Sequence, residues 1–350
     1  MKKILLILIT LTSFIPIISK RNDYIDVTKV IYINSICLDI NEENNQYDCY
    51  FYVLNNFNLA QAELSSNNVD TLAYVAKITA PTLTEAFRKL NQISNVYIHY
   101  NHLRTVILTN KFLYNQYLFD FYQFIKDDLD LYPSFYLFTT DSKPEDIFNI
   151  ENFSEISAYH TLLINPDLIK SYKLITFMDF AKAITIDNYT LLMPHISCVK
   201  KIFSRQDEEY YSLFLDGYTF YNKDNTLLTI FANEFKPLHW LTLLNNTTYT
   251  LGEYDLYIKK GKYKLKKYQQ TIIITFTIKG TLTKKNDSLS DKENFANINE
   301  LVLKEINELV NFMYNQPVDV FNINYYYGYG YDYNYFKNCN VEIKLKLNLN

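Results

Sequence analysis

The last ten residues place Val341, Ile343, Leu345, Leu347 and Leu349 at every second position. Alternation with period two marks a strand with one dry face, and a dry sheet face has to be covered by another layer. A second periodic pattern lies upstream. Ile298, Leu301, Val302, Ile306, Leu309, Val310 and Met313 recur at three- and four-residue spacing, the stripe of a long amphipathic helix. Strands and helices mix in this way along the whole chain, without a strict βαβ rhythm. The fold class that follows is α+β, with consecutive domains that each carry a mixed or antiparallel sheet flanked by helices.

The chain has 350 residues, enough for two or three domains at roughly 100–200 residues each. Hydrophobic residues make up 48% and aromatics 17%, with 33 Tyr and 24 Phe, which excludes a disordered chain. Six Gly and eight Pro exclude collagen-like and linker-like chains. A formal net charge of -4 and a pI near 5.8 argue against nucleic acid as a partner. Four cysteines are too few for a disulfide-built fold.

Residues 1–19 carry Lys2 and Lys3 ahead of an apolar run from Ile4 to Ile18. At about 1.5 Å per residue that run falls short of a bilayer core about 30 Å thick. It reads as a signal peptide with cleavage after Ser19, or as an N-terminal anchor if retained. Either way the folded part is expected outside the cytoplasm, where disulfides are permitted.

Val27–Leu38 and Tyr47–Leu54 read as a hairpin across the polar Asn41–Gln46. Thr82-Leu83-Thr84-Glu85 has the capping-box pattern, with Leu83, Ala86, Phe87, Leu90 and Ile93 at helical spacing behind it. His102–Thr109 and Ser134–Thr140 are strand candidates; Lys111–Asp128, Lys143–Asn149 and Thr176–Ile184 are helix candidates; Thr190–Ile196 is a short strand. The charged Lys200–Tyr210 is the best boundary, giving an N-terminal domain over 20–199, with a possible split near 131, and a C-terminal domain over 200–350. In the second half, Leu213–Tyr221 and Leu227–Phe231 form another hairpin, Phe235–Asn245 is helical, and Tyr249–Ile258 and Tyr263–Gly280 are strands.

Candidate chemistry is thin. His99 and His102 form H-x-x-H, but no Cys, Asp or Glu stands beside them at ligand spacing, so both read as structural. His195 and His239 are isolated. No G-x-S-x-G, P-loop or dinucleotide fingerprint is present, which leaves no catalytic, metal or cofactor residue to name. Cys37 and Cys49 lie on the two strands of the first hairpin, as packed thiols or as a cross-strand disulfide. Lys259, Lys260, Lys262, Lys264, Lys266 and Lys267 read as a solvated edge that resists sheet-to-sheet pairing; attraction to an anionic membrane surface is the second reading. Tyr325–Tyr335, interleaved with Gly328 and Gly330, reads as cover for a core edge or as a recognition loop.

The second hairpin, with Gly217, Phe220, Asp224 and Leu228, resembles the "G-x-avF-x-x-d-klvG" hairpin of the C subunit of bacterial spore germinant receptors, the Ger(x)C or GerAC-like family. Glu234 and the Leu238–Leu241 segment with Trp240 fit the same family. Thr82, Glu85 and Ala86 are similar to its "T-i-x-e-A" helix start, and the strand that begins at His102 to its "H-x-k-x-iii" element. Leu192-Met193-Pro194-His195 resembles its "LP" element, and Gln316–Phe321, with Asp319 and Phe321, its "D-x-f". The departure lies at the front. Family members carry a lipobox Cys followed by Trp-Asp, whereas this chain has Ser19-Lys20-Arg21-Asn22-Asp23, and its first Cys is Cys37.

The resemblance implies a non-enzymatic subunit without cofactor. It implies a place on the outer face of the spore inner membrane, against the membrane surface, with two polytopic membrane subunits of the A and B types. The complex would couple nutrient sensing to germination, and attachment here would not depend on lipid. The alternatives are an exported small-molecule-binding protein and an exported hydrolase, neither needing membrane partners.

Overall fold

A computed structural model describes residues 30–54, 73–94, 97–127, 133–148, 173–205, 208–223, 226–242, 245–316, 318–328 and 335–349. The N-terminal apolar run, the Ser19–Asp23 region and Asp224 lie outside the described residues.

The first hairpin is β1 (Val30–Asn41) and β2 (Gln46–Leu54), and β3 (Ala73–Ala80) extends it on the β2 side. Asn45 takes the left-handed conformation in the β1–β2 turn, φ 53°, which Asn tolerates better than most residues. Helix α1 (Leu83–Ile93) follows, buries Leu83, Ala86, Phe87 and Leu90, and is capped by Thr82, whose hydroxyl accepts the Glu85 N–H at 3.2 Å. Strands β4 (Tyr97–His99) and β5 (Thr105–Thr109) both run parallel to β1. A 3₁₀ turn at Asn110–Leu113 leads into α2 (Asn115–Asp127), so the aromatic helix expected over Lys111–Asp128 is really two pieces. Next come β6 (Tyr136–Thr140), α3 (Pro144–Phe148), β7 (Ile175–Thr176) and α4 (Phe177–Thr185), the last opened by a capping box between Thr176 and Asp179.

β8 (Leu191–Arg205) and β9 (Glu208–Asn222) are each 15 residues long. The described parts of the charged Lys200–Tyr210, expected as a domain boundary, are paired strands, from Lys200 with Tyr211 to Arg205 with Glu208, and the charge there does not mark a linker. β10 (Thr226–Phe231) completes a mixed ten-stranded sheet in the order β10-β9-β8-β6-β5-β1-β2-β3, with β4 on β1 and β7 on β6. On one face α1, α2 and α4 bury an aromatic-rich core, with Phe87 against Phe124 at 4.6 Å and Phe121 against Phe180 at 5.5 Å between ring centres. A smaller core on the other face gathers Cys37, Tyr50, Tyr52, Phe138, Ile147 and Phe148.

Where a helix was expected over Phe235–Asn245, a 3₁₀ turn at Lys236–Leu238, with Pro237 in its first turn, runs into the four-residue α5 (His239–Thr242). β11 (Thr247–Leu251), β12 (Tyr254–Tyr268) and β13 (Thr271–Lys284) are antiparallel neighbours. The 25-residue α6 (Asp291–Asn315), with a Ser290–Glu293 capping box, crosses one face of this sheet. After the short α7 (Ile323–Tyr327), β14 (Asn340–Leu349) returns parallel to β13. The dry face of β14 and the stripe of α6 meet in one core. Six apolar α6 side chains are buried (Ile298, Val302, Ile306, Leu309, Val310 and Met313), and their burial contributes on the order of 10 kcal/mol, as an upper bound. Tyr218, Phe220 and Ile230 from β9 and β10 join the same core, so the first sheet roofs the second. Among the described residues no helix is long and apolar enough to cross a membrane.

The hairpin register decides the cysteine question. Cys37 lies opposite Tyr50 and Leu38 opposite Cys49. The one-residue offset sends the two thiols to opposite faces of the sheet, and both are free.

Candidate functional site

Most sequence-singled residues do structural work, each in its own element. Ala86 is fully buried under α1. Glu85 does not close a capping box; its carboxylate turns along the helix to Lys89 at 3.3 Å and Arg88 at 3.9 Å. His99 and His102 flank one ring, Tyr32, at 5.9 Å and 4.5 Å between centres, and among the described residues no cluster of three His, Cys, Asp or Glu is placed to hold a metal ion. Phe220 packs in the second core beside Phe312, and Glu234 is exposed on the turn after β10.

Trp240 is buried, and its indole N–H donates to Glu305 Oε2 on α6 at 2.6 Å. The Tyr249 hydroxyl donates to the same oxygen at 2.7 Å, and burial together with that bond pushes the phenol well above its ordinary range. Asp319 is buried at the start of α7 and accepts the Asn324 N–H at 2.6 Å. Burial pushes its carboxyl up to about 6, against the opposing pull of backbone N–H groups. Phe321 beside it packs edge-on to Phe276 and Tyr263. Asn322, left-handed at φ 58°, clamps the start of β8: its Oδ1 accepts the Thr190 N–H at 2.6 Å and its Nδ2 donates to the Thr190 carbonyl at 3.1 Å.

Pro194 and Gly217 are different, because they frame a buried polar cluster that combines a histidine with acids. Pro194 has no N–H to give, and β8 tolerates it where it meets β6 through a single residue pair, Thr139 with His195. Across the strands, His195 pairs with Gly217, and the register shifts immediately beyond. Gly217 has no side chain because none fits: a Cβ there would lie 2.2 Å from the Ile230 carbonyl oxygen of β10.

Around His195, three strands contribute hydroxyls. Its Nδ1 lies 3.0 Å from Thr139 Oγ1; Thr139 and Thr219 hydroxyls are 2.7 Å apart, and Thr219 and Thr229 hydroxyls 3.0 Å apart. The imidazole Nε2 is 3.5 Å from Asp141 Oδ1 and makes no hydrogen bond, although the ring is fully buried. Burial lowers the affinity of His195 for a proton, against the pull of Asp216 and Asp141. Burial raises Asp216, against its bond to Ser197 and the nearby imidazole. Both shifts favour the neutral forms, which suits a packed polar seam. Among the described residues, the hydroxyls bonded to the ring, Thr139 and Thr219, are engaged with each other.

Sequence reasoning passed over Thr139, Asp141, Asp216, Thr219 and Thr229, which are scattered single polar residues in apolar strands. The one available signal was a histidine in the apolar run LLMPHIS.

The family model described as "Spore germination protein N-terminal domain" matches residues 23–198. The chain belongs to this family. The GerAC-type match takes in the first hairpin and His195 and ends inside β8, while β9 and β10, which carry the rest of the His195 cluster, continue the same sheet. Among solved structures, one titled "Crystal Structure of the GerBC protein" is similar over 90% of this chain and 97% of its own, at 16% sequence identity and a TM-score of 0.46. No curated protein matches.

Proposed function

We propose that this protein is the C subunit of a spore germinant receptor and works by contact, without a catalytic step. The family match over residues 23–198 carries the reading. His195, Asp216 and Asp319, whose protonation burial shifts, are held among structural partners, which supports a role other than catalysis. In this reading the chain is exported, sits on the outer face of the spore inner membrane, and assembles with two polytopic subunits of the A and B types. Attachment there needs no lipid, since the residues at the front, Ser19-Lys20-Arg21-Asn22-Asp23, include no cysteine.

Loss of optical density by purified spores after nutrient addition tests it. A deletion strain should grow and sporulate normally and lose or slow its response to some nutrients. Pull-downs from spore membranes should recover two multi-span proteins. A deletion strain that responds to every nutrient like its parent, together with a pull-down lacking any multi-span partner, would overturn the proposal.

A further inference from the structure

The second sheet has one face on α6 and one face that no described residue covers. Residues directly opposite each other in register point to the same side of a sheet, so the bare face reads off the pairing in four rows. These are Lys260, Lys279 and Asn348; Lys262, Thr277 and Lys346; Lys264, Thr275 and Lys344; and Lys266, Ile273 and Glu342. All seven lysines are exposed. Six residues of strand by three strands make a plane of roughly 20 by 10 Å. It carries seven cations and one carboxylate, which bonds Lys344 at 3.4 Å, on a chain whose formal net charge is -4.

Edge protection accounts for part of this pattern. β11 pairs with β12 only as far as Ile258, which leaves the Lys262–Lys266 length as an edge, and β14 is the other edge. It does not account for Lys279, which is on the interior strand β13 directly opposite Lys260. Like charges so placed destabilise a sheet. Nor does it account for Tyr268, which continues the same face past Lys266 at the β12–β13 tip and is 69% exposed.

We propose that this bare face docks on an anionic phospholipid bilayer. The surface is flat, and a docked peptide strand would instead seek an open edge. Every cation on it is lysine, a point charge suited to a diffuse anionic layer, with no arginine fork for bidentate recognition of a peptide carboxylate. A tyrosine at the rim suits the headgroup level, where amphipathic rings settle. The proposal stands on the sheet geometry and is independent of the germination reading.

The chain from Lys20 onward contains every element described above and is the protein to use, in sedimentation with phosphatidylcholine vesicles with and without phosphatidylglycerol. The wild type should favour the anionic vesicles, with the preference fading as salt rises. Joint replacement Lys262→Gln, Lys264→Gln, Lys344→Gln and Lys346→Gln should cut that preference at least about tenfold, given the attraction expected of each lysine near an anionic leaflet. Replacing Lys292 and Lys304 with Gln on α6, at the opposite side of the sheet, should leave it unchanged. Equal sedimentation on both vesicles, or a quadruple variant with wild-type preference and an unchanged circular-dichroism spectrum, overturns the proposal. Binding to soluble polyglutamate in preference to the anionic vesicles overturns it too, in favour of an acidic polypeptide partner.

Discussion

Replacing Gly217 with alanine adds one methyl group at a close backbone approach in the sheet. The new Cβ would lie 2.2 Å from the Ile230 carbonyl oxygen and 2.9 Å from the Phe231 Cα, well inside the roughly 3.5 Å of a relaxed contact. Neither neighbour is a flexible side chain, so β9 and β10 must part by more than about 1 Å. Their ladder runs from Asn222 with Thr226 to Gly217 with Phe231, and the approach lies at its end, so separation there strains the pairing and moves the wall of the His195 cluster. Overpacking of this kind costs about 1–3 kcal/mol, and a lost ladder hydrogen bond adds about 1 kcal/mol. The unfolded chain returns roughly 0.4–1 kcal/mol, because alanine has less freedom to lose than glycine. The expected net loss is about 2 kcal/mol. Gly252 is the matched comparison: it sits at φ 62° with Leu301 Cδ1 no closer than 3.8 Å to a built Cβ. Alanine there pays only the left-handed backbone cost of about 1 kcal/mol. Urea unfolding followed by the emission of Trp240, the chain's one tryptophan, measures both. If Gly217→Ala fell within about 0.5 kcal/mol of wild type, or cost no more than Gly252→Ala, the steric reasoning would be refuted.

Two further outcomes follow from buried polar partners. Asp319 is raised from 3.8 to about 6 by burial, so the fold holds its proton more tightly than the unfolded chain does. That contribution is present below about pH 4 and is lost as pH rises through about 6, a swing of about 3 kcal/mol at about 1.4 kcal/mol per unit. Stability of Asp319→Asn relative to wild type should therefore climb by about that amount between pH 4 and 7; a flat difference across urea titrations would sink the assignment. Glu305→Leu strands the Trp240 N–H and the Tyr249 hydroxyl in the core and should cost about 3 kcal/mol, since each unmet buried group costs about 1–3 kcal/mol. The same Trp240 emission should shift as its N–H partner is lost, and an unchanged spectrum and midpoint would count against the shared acceptor.

What could be read from sequence was whatever depends on short-range period. The β14 alternation, the α6 stripe and the Thr82 cap all depend on neighbours within a turn or a strand, and each appears where the pattern put it. Two capping boxes, Thr176 with Asp179 and Ser290 with Glu293, were equally open to reading. Register was not. The hairpin of β1 and β2 is plain from composition, yet whether Cys37 faces Cys49 turns on one residue of offset that no local pattern encodes. The length of β8 and β9 was hidden for a related reason: strands paired with each other tolerate a charged run such as Lys200–Tyr210, so polarity imitated a linker. The His195 cluster was out of reach, because its hydroxyls come from β6, β9 and β10, up to 90 residues apart (Thr139 to Thr229). The lysine face lay between these extremes. The β12 lysines were visible as a run, but only register shows Lys279, Lys344 and Lys346 on the same side.

The two cores cannot turn independently, and this gives the lysine face its consequence for the rest of the chain. Tyr218, Phe220 and Ile230 belong to strands of the first sheet yet are buried in the second core. Asn322, from the segment after α6, holds both backbone groups of Thr190 at the root of β8. A rigid body whose flat cationic face lies on a bilayer has one axis fixed by that contact. The part matched by the germination family, residues 23–198, is then carried at a set tilt to the bilayer, free only to spin about the normal. An anchor at the N-terminus alone would fix distance and leave tilt open. If a retained N-terminal segment also anchored the chain, the two attachments would restrict different freedoms, and loss of the lysines would disturb orientation rather than distance.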